Sequence, residues 1–109
     1  MVQYSPHLDS AFAALADPTR RGILERLGRG ETSISDLARS FDMTLTGIKK
    51  HVGVLEAARL VATTKVGRVR TCRLGSHRMD REAAWIGRYQ RMMEASYHRL
   101  DALLERIKD

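Results

Sequence analysis

The segment TLTGIKKHVGVLEAARLV, residues 44–61, decides the fold. Its apolar side chains recur every three or four residues, as in a helix with one buried face: Leu45, Ile48, Val52 and Leu55. Thr44 stands just before them and is a preferred helix N-cap. The opposite face carries polar and basic side chains near the start of the helix and small residues further along: Thr46, Lys49, Lys50, Gly53 and Ala57. We therefore predict a helix over 44–58 with a basic outward face.

That basic face favours DNA as its partner. Gly47 and Gly53 each cost about 1 kcal/mol of helix propensity relative to Ala, a loss that is reasonable where a backbone must approach something closely. A helix that follows another across the short turn FDM, residues 41–43, and carries cations near its start suits the major groove. His51 lies at the border of the two faces, where it is either a half-buried helix residue or a phosphate contact.

Residues 60–74, LVATTKVGRVRTCRL, change character and are rich in Val and Thr, with Gly67 near the middle. This pattern predicts two short strands joined by a tight turn over residues 66–68. Four cations flank the turn, where they would neutralise phosphates without reading sequence: Lys65, Arg68, Arg70 and Arg73. A basic hairpin directly after a basic helix predicts a winged helix-turn-helix.

Helix start signals precede this region. Ser5-Pro6 and Asp17-Pro18 each predict a helix N-terminus, and Ser33 followed by Asp36 resembles a capping box. The predicted order is four short helices, a hairpin and a long helix over 77–108, in one mainly α domain that spans residues 1–109.

Composition narrows the class of protein. The chain has 109 residues and a net charge of +6, which favours a polyanionic partner. We find no apolar run long enough to span a bilayer, and the first residues lack a signal pattern. The single cysteine, Cys72, fits a reducing cytoplasm. We expect a cytoplasmic protein without a cofactor.

The final helix carries more apolar residues than a solvated helix needs. A heptad row and the positions between its members predict the interface of a homodimer: Ile86, Tyr89, Met93, Leu100, Leu103 and Ile107. A second row comprises Trp85, Met92 and Tyr97. Two alternatives stay open, namely a helix that folds back on its own domain and a ligand pocket between Trp85 and Tyr97.

The chain resembles the ArsR-type winged-helix repressors in ALADPTRRGILERL (14–27), SISDLARSF (33–41), residues 44–61 and the basic hairpin. The resemblance implies a symmetric homodimer that binds an inverted-repeat operator in double-stranded DNA and leaves it when an effector, here unknown, arrives. It also implies a recognition helix and a wing with these DNA-binding residues: Thr44, Thr46, Gly47, Lys49, Lys50 and His51, then Lys65, Arg68 and Arg70.

Three features differ from what members of the family often carry. Ser33 and Ser35 stand where metal-sensing members carry a Cys-x-Cys pair, and serine is a poor ligand for soft metals. The last helix carries one imidazole, His98, between the carboxylates of Glu94 and Asp101. A single imidazole among carboxylates is more typical of ion pairs than of a metal site, so we expect no metal site there. Arg59 replaces the glycine that often ends the recognition helix, so we expect the turn there to differ locally.

We therefore predict a dimeric, sequence-specific DNA-binding repressor. A ligand- or redox-responsive regulator is the nearest alternative, with Cys72 as the trigger because Arg70 and Arg73 would lower its pKa. A protein-interaction module that uses the apolar last helix is the alternative from another class. The sequence offers no nucleophile–base pair, metal cluster or phosphate-cradling loop, so we do not expect an enzyme.

Overall fold

A computed structural model describes residues 6–108 of the chain, so the predicted N-cap at Ser5 lies outside the described residues. The chain divides into two compact units, Met1–Arg78 and Met79–Asp109. The elements of the described residues are α1 (Pro6–Leu15), α2 (Pro18–Leu27), β1 (Thr32–Ser33), α3 (Ile34–Ser40), α4 (Leu45–Ala57), β2 (Val61–Val66), β3 (Val69–Leu74) and α5 (Asp80–Ile107). The predicted mainly α, winged helix-turn-helix fold is confirmed.

Side-chain caps begin α2, α3 and α4 as the sequence predicts. The Oδ2 of Asp17 accepts a hydrogen bond from the backbone N–H of Arg20 at 3.0 Å. Ser33 Oγ accepts from the N–H of Asp36 at 3.1 Å. Thr44 Oγ1 accepts from the N–H of Gly47 at 3.1 Å. Each bond satisfies a donor that the first turn of a helix leaves without a partner.

The hairpin belongs to a sheet with one more strand than predicted. The strand order is β1-β3-β2 and both pairings are antiparallel. Val66 pairs with Val69, so the turn consists of Gly67 and Arg68. Gly67 has a φ of +61° whereas Arg68 is not in the left-handed region, which is the pattern of a type II′ turn.

The core of the first unit lies between the helices and the inner face of this sheet. Its largest fully buried side chains are Ile23, Leu37, Ile48, Leu55, Val61 and Cys72. One predicted core position is wrong, because Leu45 at the start of α4 is 42% exposed. It lies in the first turn of the helix, before the turns that pack on the core.

The turn after α4 keeps the left-handed geometry despite Arg59, so the expected local difference is wrong. Arg59 itself has a φ of 63°. Its N–H donates to the carbonyl of Glu56 at 2.9 Å and the N–H of Leu60 donates to that of Leu55 at 2.9 Å, which is a Schellman motif. Arg59 therefore carries the strain of a non-glycine residue in this conformation.

The second unit consists of α5, a single helix of 28 residues from Asp80 to Ile107. It starts three residues later and ends one residue earlier than predicted. Most of its large apolar side chains are exposed in the single chain, from 44% for Ile86 to 70% for Ile107. Trp85 and Tyr89 stack on each other with ring centroids 5.8 Å apart. Among the described residues, we find no helix long and apolar enough to cross a membrane.

Candidate nucleic-acid interface

One open groove between α4 and the hairpin collects cations from both elements. Its basic lining consists of Lys49, Lys65, Arg68 and Arg70. Lys65 and Arg70 are paired across β2 and β3 and therefore share a face of the sheet. The apolar part of the lining is Ile34, Leu45 and Val52, so the exposure of Leu45 follows from its position at this groove. Four positive side chains on one surface suit a polyanion.

Lys50 lies elsewhere on α4. It is exposed and does not line the groove, because one step along a helix turns a side chain by about 100°. Together with Thr46 and Ala57, also exposed, it forms the outward face of the helix. Gly53 lies at the edge of that face, and a Cβ added there would meet no atom of residues 6–108 within 4 Å. The fold itself thus gives no reason for glycine at position 53.

Gly47 has a different reason to be glycine. A Cβ at this position would lie 3.2 Å from both Met43 Cε and Thr44 Oγ1. The Thr44 hydroxyl is already engaged as the N-cap of α4. The structure therefore accounts for both residues by the geometry of the helix start, and their predicted contact with DNA stays a prediction.

His51 lies on the border of α4 away from the groove, next to the start of α2. Its Nδ1 is 3.4 Å from Arg20 Nη1 and 3.7 Å from Asp17 Oδ2. Arg20 also binds the end of α1, since its Nε donates to the carbonyl of Ala14 at 2.7 Å and its Nη2 to that of Ala13 at 3.0 Å. The segment ALADPTR therefore connects α1, α2 and α4, and the predicted DNA contact of His51 remains untested.

The carboxyl of Asp17 is tuned by the same joint. The hydrogen bond from the backbone N–H of Arg20 holds the pKa of this carboxyl below its ordinary value and outweighs desolvation, which raises it. His51 and the Arg20 guanidinium lower the pKa further by smaller amounts. The charged form of Asp17 is thus the one that the folded protein favours.

A chain of hydrogen bonds that the sequence analysis missed connects α4 with both strands of the hairpin. Thr63 Oγ1 donates to Glu56 Oε2 at 2.7 Å, and Arg70 Nη1 donates to Thr63 Oγ1 at 3.1 Å. Among the described residues, Glu56 is the one acidic side chain that lines the groove. A signal exists in hindsight, because an acidic residue in the last turn of a helix opposes the helix dipole and so calls for another partner.

Cys72 does not have the properties of a redox trigger. It is fully buried in β3 and its thiol is free. Burial raises the pKa of the thiol, and so does the nearby Glu56 carboxylate, which together outweigh the lowering effect of Arg70. Arg73 lies on the other face of the sheet, where its Nη1 donates to Thr64 Oγ1 at 2.6 Å. Arg70 lowers the pKa of Cys72 as expected, but the expected net lowering is wrong, and a reactive thiolate requires a lowered pKa.

Residues 6–108 bring together no group of three or more His, Cys, Asp or Glu side chains that would hold a metal ion. Ser33, which occupies one of the two cysteine positions of metal-sensing relatives, serves instead as the N-cap of α3.

Solved structures place the fold and the sequence in a family. The crystal structure of an ArsR family transcriptional regulator is 44% identical, covers 86% of this chain and 97% of its own, and superposes with a TM-score of 0.75. The chain belongs to the ArsR family of transcriptional regulators. The family model of a helix-turn-helix domain also matches residues 15–64.

Two further relatives are similar over shorter stretches. The HTH-type transcriptional regulator Rv2034 of Mycobacterium tuberculosis is 41% identical over 61% of this chain and 62% of its own length. The transcriptional repressor SdpR of Bacillus subtilis is 32% identical over 55% of this chain and 67% of its own. The match therefore spans less than two thirds of Rv2034. The separate match of the family model includes α4 and part of β2.

Proposed function

We propose that this ArsR-family protein is a cytoplasmic homodimer that binds an inverted-repeat operator in double-stranded DNA and represses transcription. The recognition helix is residues 44–58 and the wing is residues 60–74. The observation that carries the proposal is the groove that Lys49 shares with Lys65, Arg68 and Arg70. The similar protein SdpR is a transcriptional repressor, which supports repression as the direction of regulation.

The positions of the cations suggest different tasks. Lys49, Lys65, Arg68 and Arg70 line one groove together, so we assign them to phosphates. Thr46 and Lys50 point outward from the helix and are assigned to base edges, where a lysine binds guanine and a threonine methyl meets thymine.

The remaining predicted contacts lie at the ends and border of this surface. Thr44 and Gly47 are at the N-terminus of α4, where backbone N–H groups attract phosphate. His51 is half-buried on the border opposite the groove, so we assign it to the other phosphate strand.

The proposed dimer rests on the apolar face of α5. Every predicted interface residue is exposed or half-buried in the single chain: Ile86, Tyr89, Met93, Leu100, Leu103 and Ile107. A contiguous apolar face of this length marks an interaction site. A second copy would cover it, and two recognition helices related by a dyad would read half-sites about one helical turn apart, or a multiple of one turn.

Selection of bound sites from random DNA tests the proposal and supplies the operator for later measurements. We expect an inverted repeat, and an affinity that falls by roughly one log unit per log unit of salt for each phosphate contacted. A protein-interaction module would select no sequence, and that outcome would refute the proposed function.

Two substitutions test the division of tasks. Lys50→Ala should reduce the preference for operator over random DNA, because each good base contact contributes about 1–3 kcal/mol of discrimination. Arg68→Ala should weaken binding to both duplexes alike and lower the salt slope by about one. Fluorescence anisotropy over a salt series measures both. An unchanged preference in the Lys50 variant would remove that residue from the base contacts.

Leu100→Glu tests the dimer. A carboxylate in the middle of a buried apolar contact costs several kcal/mol unless it is paired, so we expect monomers with little operator affinity. Ala102→Glu is the matched control, because it adds the same charge on the polar side of α5 and should leave dimers intact. Sedimentation velocity gives the state of assembly, and a dimeric Leu100 variant would place the interface elsewhere.

A further inference from the structure

The surface between α4 and the hairpin contains one group that the proposed function does not explain. Glu56 is a carboxylate in the lining of an otherwise basic groove. From that position it repels phosphate and weakens the field that attracts DNA. It also lies in the last turn of α4, where a negative charge opposes the helix dipole. Both local effects are unfavourable, so any favourable role of Glu56 must come from the hydrogen bonds that its side chain makes.

Those contacts join three elements through a single hydroxyl. The Thr63 hydroxyl of β2 donates its proton to Glu56 of α4 at 2.7 Å and accepts from the guanidinium of Arg70 on β3 at 3.1 Å. A hydroxyl has one proton, so its donation to the carboxylate leaves its lone pairs to Arg70. The Glu56 carboxylate therefore orients the Thr63 hydroxyl so that its oxygen accepts the hydrogen bond from Arg70.

We infer that Glu56, acting through Thr63, is a positioning residue that holds Arg70 in place for DNA and so sharpens the preference for the operator. This inference rests on the proposed function. An arginine that is already held in one rotamer loses less side-chain conformational entropy when the complex forms than an arginine that samples several rotamers. This smaller entropy loss strengthens binding only to a duplex whose phosphates fit the position in which Arg70 is held. The negative charge of Glu56, by contrast, lowers affinity for every duplex.

Thr63→Val tests the geometric part, since it removes the hydroxyl and keeps the side-chain shape. We expect affinity for the operator to fall about fivefold while affinity for random duplex changes less than twofold. Thr63→Ser should restore the wild-type preference. The matched control is Thr64→Val, which removes a hydroxyl from the adjacent residue, on the other face of the sheet, where it binds Arg73. Equal effects of Thr63→Val and Thr64→Val would overturn the inference.

Glu56→Gln tests the electrostatic part, because glutamine keeps an oxygen that accepts from Thr63 and loses the charge. Affinity for random duplex and affinity for operator should both rise severalfold at low salt, while the preference for operator stays close to that of wild type because the contact to Thr63 is kept. No rise in affinity for random duplex would show that this carboxylate does not face the DNA. Thermal unfolding of every variant identifies any loss of affinity that follows from loss of fold.

A measurement on the free protein separates this inference from the proposed function. Side-chain ¹⁵N relaxation at Arg70 Nε should show faster motion in Thr63→Val than in wild type and Thr63→Ser. If this motion is unchanged, the positioning role is wrong even where site selection yields an operator. If Arg70 moves faster in Thr63→Val but the wild-type protein selects no site from random DNA, the proposed function is wrong. The inferred effect of Glu56 on operator preference is then wrong as well.

Discussion

Replacing Gly53 with Ala should make the protein more stable and a weaker DNA binder at once. Gly53 is in the interior of α4, and an added Cβ would meet no other atom in the described part of the chain within 4 Å. Glycine in a helix interior costs about 0.5–1 kcal/mol relative to alanine. In a domain of this size, 1 kcal/mol corresponds to roughly 4–8 °C in the unfolding midpoint. We therefore expect the midpoint to rise by a few degrees.

The effect on DNA has the opposite sign because the new methyl group would occupy space between the helix and the duplex. A clash that costs about 1.4 kcal/mol lowers affinity tenfold, and we expect a loss of that order for the selected operator. Circular dichroism gives the unfolding midpoint and fluorescence anisotropy gives the affinity. Gly87→Ala in α5 is the matched control, since its Cβ would approach only the flexible guanidinium of Arg91, at 3.3 Å.

The two variants should gain similar stability, and only the Gly53 variant should lose DNA affinity. A Gly53 variant that is stabilised and binds the operator like wild type would show that the backbone of α4 does not approach DNA at this point. The assignment of the outward face of α4 to the major groove would then be wrong. Gly47→Ala cannot replace this test, because its Cβ would press on Thr44 and Met43 and disturb the helix start.

Two further predictions concern stability. Arg59→Gly should raise the midpoint of urea unfolding without changing the m-value, because relief of the strain of a left-handed non-glycine residue adds about 1 kcal/mol to the free energy of unfolding. A lower midpoint would mean that contacts of the Arg59 side chain stabilise the fold by more than its backbone strain costs. Asp17→Ala should lower the thermal midpoint by loss of the α2 cap. Because folding lowers the pKa of Asp17, its contribution is present above the ordinary carboxyl pKa and is lost as pH falls through the lower folded value. The difference between wild type and variant should therefore shrink in acid, and a constant difference down to pH 2 would contradict the pKa shift.

Features that depend on neighbouring residues were predictable from the sequence. The caps at Asp17, Ser33 and Thr44 each bind an N–H three residues on, so a short pattern contains the whole interaction. The hairpin was predictable for the same reason, because Gly67 and the alternation around it define the turn. These signals indicated the starts of α2, α3 and α4 and the position of the wing.

Features that depend on distant residues were not predictable. Strand β1 consists of Thr32 and Ser33, which is too short for any periodicity, and it exists because β3 offers Thr71 and Cys72 as partners. The chain from Glu56 through Thr63 to Arg70 likewise requires the hairpin to fold against α4. Charge counts gave the sign of the surface, but only the packing of α4 and the sheet separated Lys49, in the groove, from Lys50, outside it.

The distribution of charge divides the chain as its compact units do. Residues 1–78 contain thirteen Lys and Arg against seven Asp and Glu, whereas residues 79–109 contain six of each. The net charge of +6 thus belongs wholly to the first part, and residues 44–74 carry seven cations and only Glu56 as a carboxylate. Two copies of so basic a surface repel each other in the absence of DNA. A neutral helix with an apolar face is the kind of element that can join them, because burial of apolar surface requires no opposite charge and persists at salt concentrations that screen charged contacts.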